Sequence, residues 1–201
     1  MRSLSHLAFA SLAASASLYP RQSAEVIVTS VTASGDLCPP GTFDTVVGAI
    51  GDAFTVGFDN NVVGTDAAAG GSCTVEATLV YPPGCTTALL TPAVVGFLSG
   101  TEGVTATLDV DVRLSTGRSS SSSEEFRVSE PALADQAMTV TTRYPIEGSL
   151  AFNVEEETEV TLSIEVGVQV DTGDENGSFQ VDTVVLAIAN EVHLSDWETC
   201  M

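Results

Sequence analysis

The chain has 201 residues, with 27 Asp and Glu against six basic residues and a formal net charge of −21 at pH 7. All six basic residues are arginine and lysine is absent. That balance excludes nucleic acid as a partner, since phosphate binding needs a basic surface. It disfavours anionic membranes for the same reason, and it leaves no lysine nucleophile or Schiff base.

The predicted elements begin with a leader. Arg2, an apolar run from Leu7 to Ala16 and small residues at Ala14 and Ala16 have the layout of a secretory signal peptide over residues 1–16, with a further cut after residue 21 as an option. The run is shorter than the roughly 20 residues of a membrane span, and no later stretch is long and apolar enough, so no span is expected. Residues 22–201 are read as one domain. A chain of this length can bury about 70% of its unfolded surface, so a core does not depend on disulfides.

Strands are predicted at 25–33, 43–50 and 53–63, then over CTVEATLVY (73–81), 93–99 and TATLDVDVRL (105–114). Further strands are predicted at 125–130, 137–144, LAFNV (150–154), VTLSIEVGVQV (160–170) and 179–194. The alternation is plainest in the 160–170 run. Val160, Leu162, Ile164, Val166, Val168 and Val170 share one face, and Thr161, Ser163, Glu165 and Gln169 take the other. In 105–114, Ala106, Leu108, Val110, Val112 and Leu114 face in, while Asp109, Asp111 and Arg113 face out. Period-two alternation with one polar face marks half-buried antiparallel strands. No long segment has helical periodicity with caps. The expected fold is an all-β antiparallel sandwich of about ten short strands, with little or no helix outside the signal peptide.

Two stretches are read as connections. GRSSSSSEE (117–125) is low-complexity and polar, and is expected to be a mobile surface loop. DTGDENG (171–177) is expected to be a long hairpin turn. It holds the N-glycosylation sequon Asn176-Gly177-Ser178.

Few catalytic chemistries are available. His6 leaves with the leader, so His193 is the sole histidine of the mature chain. It sits in an alternating stretch and reads as a strand-face residue rather than a triad base. Asp109 and Asp111 could form a glycosidase carboxylate pair, but alternate residues on any solvated strand face are polar. No close Cys and His spacing suggests zinc. The acidic clusters 155–159 and Asp171, Asp174 and Glu175 invite calcium, which wants six to eight oxygens from a folded loop. The DTGDENG order is not that of an EF-hand. A strand of roughly 35 Å separates the two clusters. They read as solvated turns, with Asp171, Asp174 and Glu175 kept as weak metal candidates and no cofactor expected. Aromatics are 6% and Trp197 is the one tryptophan. Phe54 and Phe58 are assigned to the core, so an aromatic sugar-binding platform is not read.

Four cysteines in an exported chain imply two disulfides. The strand 74–81 holds Cys73 and Cys85 over 25 Å apart, which disfavours that closure. Strand direction separates the remaining choices. Cys38 lies at the start of the strand at 43–50. The chain runs out, turns near Gly51 and Asp52, and returns along 53–61 to the same end. Loop 62–72 then delivers Cys73 there. The expected pairs are therefore Cys38–Cys73 and Cys85–Cys200, with the prolines after Cys38 stiffening an irregular lead-in.

The order LCPPGTFD, AFTVGFDN, GGSCTVEATLVYPPG, AVVGFLSG and the terminal VHLSDWETC resembles a fungal secreted family of domains of unknown function, family 4360. The resemblance spans residue 36 to Cys200. It implies a small secreted β-rich protein with structural disulfides and no known activity. In one departure, Cys85 stands in PPGC, earlier than the family's third cysteine, so no pairing carries over. The function expected from residues and resemblance together is that of a secreted, monomeric, non-enzymatic extracellular or cell-wall protein, binding a wall glycan or another extracellular component. A hydrolase using Asp109 and Asp111, or a calcium-stabilised module, is the alternative.

Overall fold

The computed structural model describes residues 26–49, 51–59, 61–65, 68–81, 84–128, 138–143, 150–154, 156–173 and 176–191. Among them are twelve strands and no helix. In chain order they are β1 (Ile27–Ser34), β2 (Phe43–Val47), β3 (Ala53–Phe58), β4 (Val62–Gly64), β5 (Gly70–Tyr81) and β6 (Gly84–Gly100). Then come β7 (Thr105–Leu114), β8 (Ser119–Arg127), β9 (Met138–Arg143), β10 (Leu150–Val154), β11 (Thr158–Asp171) and β12 (Gly177–Glu191).

Every pairing is antiparallel, and the strands form two sheets. Sheet A has the order β1-β5-β11-β7-β8. Sheet B has the order β10-β6-β12-β3-β2, with β4 also on β12 and β9 also on β6. This is an all-β sandwich, and the period-two alternation of the sequence is its cause. In β11 the residues Val160, Leu162, Ile164, Val166 and Val168 are buried, while Thr161, Glu165 and Gln169 are exposed. Sheet B meets them with Phe54, Val56, Leu90, Val94, Phe179, Val184 and Leu186, all in the same core. Fully burying one such side chain stabilises by about 1.5–3 kcal/mol. β12 contains a register shift between Val181 and Thr183, so Asp182 stands out of the alternation without turning Val184 and Leu186 from the core.

Cys38 and Cys73 are joined by a disulfide with Cα atoms 5.5 Å apart. Both cysteines are buried in the core. The lead-in to Cys38 is fixed by its backbone. Leu37 N–H donates to the Ser72 carbonyl at 3.0 Å, and Cys38 N–H donates to the Gly35 carbonyl at 3.2 Å. Gly35 adopts φ +139°, and a Cβ there would run into the Ser72 carbonyl oxygen. Only glycine lets β1 turn so close to β5. Cys85 lies in β6, while Cys200, and with it the expected Cys85–Cys200 pair, falls outside the described residues. So do residues 1–25, His193 and Trp197.

Two sequence expectations are corrected. The serine-rich stretch is not a loop. Residues 119–127 form β8, paired with β7 over nine registered positions from Arg113↔Ser119 to Thr105↔Arg127. Composition misled here. The free edge of β7 presents unpaired N–H and C=O groups, and a backbone ladder satisfies them whatever the side chains. The half-buried side of β8 carries Ser120, Ser122 and Glu124, polar inward residues of a guarded edge strand, and then Phe126, which packs against the core. The DTGDENG stretch is likewise not a hairpin turn. It links β11 in sheet A to β12 in sheet B, so it arches between the layers.

Candidate functional site

The outer face of sheet A is polar apart from Ile27 and Val80, which pair with one another at its far end. Register places its outward residues in rows across the strands. Thr32, Glu76, Ser163, Arg113 and Ser119 form one row, and Ser34, Thr74, Glu165, Asp111 and Ser121 form the next. Asp109 follows opposite Gly167, then Gln169 opposite Thr107 and Glu125. At this end the face is concave. An open groove of about 480 Å³ is lined by Gly70, Thr105, Thr107, Glu125, Gln169 and Asp171, among others. Gly70, the first residue of β5, has no side chain to fill the floor, and Thr107 is short. The longer Gln169, Glu125 and Asp171 stand around that gap. None of the lining residues is cationic or aromatic.

The sequence candidates divide. Asp171 belongs to the groove, and its Oδ1 accepts the Gly173 N–H at 3.0 Å, which fixes the side chain at the end of β11. Asp174 and Glu175 fall outside the described residues, among which no group of three or more His, Cys, Asp or Glu is arranged to hold a metal. Asp109 and Asp111 stand on the solvent face as expected, but neither lines the groove. Asp111 Oδ2 accepts from Arg113 Nη2 at 3.3 Å, and the pair is 42% and 62% exposed. A glycosidase acid depends on a shielded carboxyl, and this position is open. The two carboxylates that do share the groove, Glu125 and Asp171, are two strands and one row apart. Their backbone positions are roughly 12 Å apart. Asn176 is exposed at the end of the arch, and its sequon Ser178 lies in β12 with its hydroxyl 3.0 Å from that of Ser99.

Sequence reasoning missed the groove itself. Gln169 was legible as an outward residue, and Asp171 as an acidic one. Glu125 stood at the join between the stretch read as loop, 117–125, and the strand read at 125–130. The signal that could have found it is the Gly70-Gly71 pair at the head of a strand whose neighbours carry short outward residues.

Fold and site together define a disulfide-linked antiparallel β-sandwich with one polar, grooved sheet face. The family model for a domain of unknown function (DUF4360) matches residues 24–200, and the chain belongs to that family. No curated protein matches the chain. Among solved structures it is similar to TmCBM61 in complex with beta-1,4-galactotriose, at 15% identity over 80% of this chain and 88% of that one, with a TM-score of 0.32. It is also similar to the enzymatically active domain of bacteriophage CBA120 tailspike protein 4, at 10% identity over 82% of this chain and 19% of that one, with a TM-score of 0.27. Among the described residues no helix is long and apolar enough to cross a membrane.

Proposed function

We propose that the protein is a secreted, non-enzymatic binding module that holds an extracellular or wall glycan in the groove of sheet A. The observation that carries this reading is the lining of the groove: an amide at Gln169, hydroxyls at Thr105 and Thr107, and carboxylates at Glu125 and Asp171 around one open depression. These are groups that exchange hydrogen bonds with sugar hydroxyls.

Export is supported by the leader pattern over residues 1–16, the buried Cys38–Cys73 disulfide and the exposed Asn176 sequon. The high negative charge keeps copies apart and favours a monomer. The test is a screen of immobilised wall polysaccharides with the protein and its Gln169→Ala variant. The expected result is retention on at least one glycan, weakened about tenfold by Gln169→Ala, since a lost hydrogen bond of about 1.4 kcal/mol is a factor of ten. Retention equal for both proteins would place binding elsewhere, and no retention would end the reading.

A further inference from the structure

We propose that Asn176 is a modification site and carries an N-linked oligosaccharide in the exported protein. The site is separate from the groove, so its occupancy does not depend on what sheet A binds. The sequence has five asparagines. Asn60, Asn61, Asn153 and Asn190 are followed two residues on by Val62, Val63, Glu155 and Val192. Asn176 alone has a hydroxyl there, at Ser178, with Gly177 and not proline between them. An N-linked sugar needs that spacing. The leader pattern over residues 1–16 would carry the chain past the enzyme that reads it.

Folding sets a second requirement, because the finished domain must leave room for a bulky, hydrophilic group. Asn61 shows the contrast. It is 5% exposed, with its carbonyl bonded to the Val181 N–H, and no sugar fits there. Asn176 is exposed, yet its backbone is fixed. The Asn176 carbonyl accepts the Thr101 N–H at 3.1 Å. The Gly177 N–H donates to Thr65 Oγ1 at 2.9 Å, and the Gly177 carbonyl accepts the Thr65 N–H at 3.0 Å. A Cβ on Gly177 would lie 2.5 Å from Val104 Cγ1, so packing demands glycine there whether or not a sugar precedes it. The attachment point is therefore a firm base at the end of the sandwich where the chain changes sheet. Thr65, Thr101, Glu102, Gly103 and Gly173 around it are exposed as well, which leaves space for the sugar.

The donor is an oligosaccharide carried on a lipid diphosphate. A bond forms between Asn176 Nδ2 and C1 of the first sugar, and the C1–O bond to the diphosphate breaks. The lipid diphosphate leaves, and one amide proton passes to a base of the transferring enzyme. Ser178 is read before folding. In the folded chain its hydroxyl lies 3.0 Å from that of Ser99, a hydrogen bond that would account for a serine at 178 without any sugar.

The experiment secretes the full chain from a eukaryotic host and measures its intact mass. The folded protein is then treated with an amidase that removes N-linked sugars and leaves aspartate at the site. Four variants separate the sequon from the hydrogen bond: Asn176→Gln, Ser178→Ala, Ser178→Thr and Ser99→Ala. The expected result is extra mass on the unaltered protein, kept in Ser178→Thr and Ser99→Ala and lost in Asn176→Gln and Ser178→Ala. The amidase should remove it without unfolding and leave aspartate at 176. A secreted protein without extra mass would overturn the proposal, as would extra mass that survives Asn176→Gln. In the first case, equal losses of melting temperature in Ser178→Ala and Ser99→Ala would reduce Ser178 to half of a hydrogen bond. Sugar released only after unfolding would contradict the exposed site. A chain kept inside the cell with its leader uncut would remove the export on which the modification depends, and so would overturn it too.

Discussion

On the outer face of sheet A, β7 and β11 present Thr, Asp, Arg, Glu, Ser and Gln. On the outer face of sheet B, β6 and β12 present Ala93, Val95, Phe97, Gln180, Thr183, Val185 and Ala187. The neighbouring strands add Val46 and Val62, 66% and 40% exposed. Charge on this face is confined to Asp44 on the edge strand β2 and Asp182 at the register shift, among the residues whose side chains are described. The same alternation builds both sheets and the same core holds them. The difference is in the outward positions alone, where packing does not dictate the residue. Sheet A even sets like charges opposite one another, Glu165 against Asp111, an arrangement that costs a few tenths of a kcal/mol or more. Stability does not require that, and under the proposed glycan-binding function this face is the one that serves recognition. Sheet B, with small and β-branched residues, is a supporting layer.

If the two sheets share one core, cutting it from either side should cost the same. Leu162→Ala in β11 and Leu186→Ala in β12 each remove a fully buried side chain and should each lower stability by about 2–5 kcal/mol in urea unfolding. A cost confined to one of them would break the picture of equal layers. Next in size is the staple. Replacing Cys38 and Cys73 together by Ser should cost about 2–4 kcal/mol, mostly by freeing the unfolded chain. An unchanged midpoint would show that the 35-residue closure adds nothing.

Tyr81, at the end of β5, tests the core by titration. Burial pushes its phenol well above the usual tyrosine range. A raised folded value means that the neutral phenol supports folding below about pH 10, the unfolded value, and that this support is lost as pH rises beyond it. Phenolate absorbance should therefore lag behind that of an exposed tyrosine, and Tyr81→Phe should remove the lag. A phenol titrating near pH 10 in the folded protein would contradict its burial.

The smallest effect separates the two outer faces. Glu165→Gln should raise stability by a few tenths of a kcal/mol at low salt, with the gain vanishing as salt is added. Thr183→Glu on sheet B, between Gly57 and Val95, faces no opposing charge. It should shift stability by under about 0.5 kcal/mol, with little dependence on salt. Equal salt dependence at the two positions would erase the distinction.

The sandwich was legible where alternation was strong. The predicted strand 105–114 is β7 to the residue, and 160–170 is β11 short of two residues at the start and one at the end. Fold class followed from these two runs, because a period of two with one apolar face has few other outcomes. The failures share a cause. The first five residues of β8 are serines that carry no hydrophobic signal, and they join the strand because a neighbour's edge needs pairing, a tertiary demand invisible in those residues. The arch after Asp171 looks like a hairpin locally, and only the sheet order shows that it changes layer. The groove depended on both. Asp171 sits at the mouth of the arch and Glu125 lies on the serine-rich strand, so two of its polar groups fall at the borders of the two misread segments.

The central claim, that ligand recognition belongs to sheet A and not to sheet B, is tested most directly by mapping amide chemical shifts during titration with the glycan that binds. The account predicts that shifts concentrate at Gly70, Thr105, Thr107, Glu125, Gln169 and Asp171, with Val95, Phe97 and Val185 unmoved. Shifts gathered on Val95, Phe97 and Val185, with the Gln169 row silent, would contradict it.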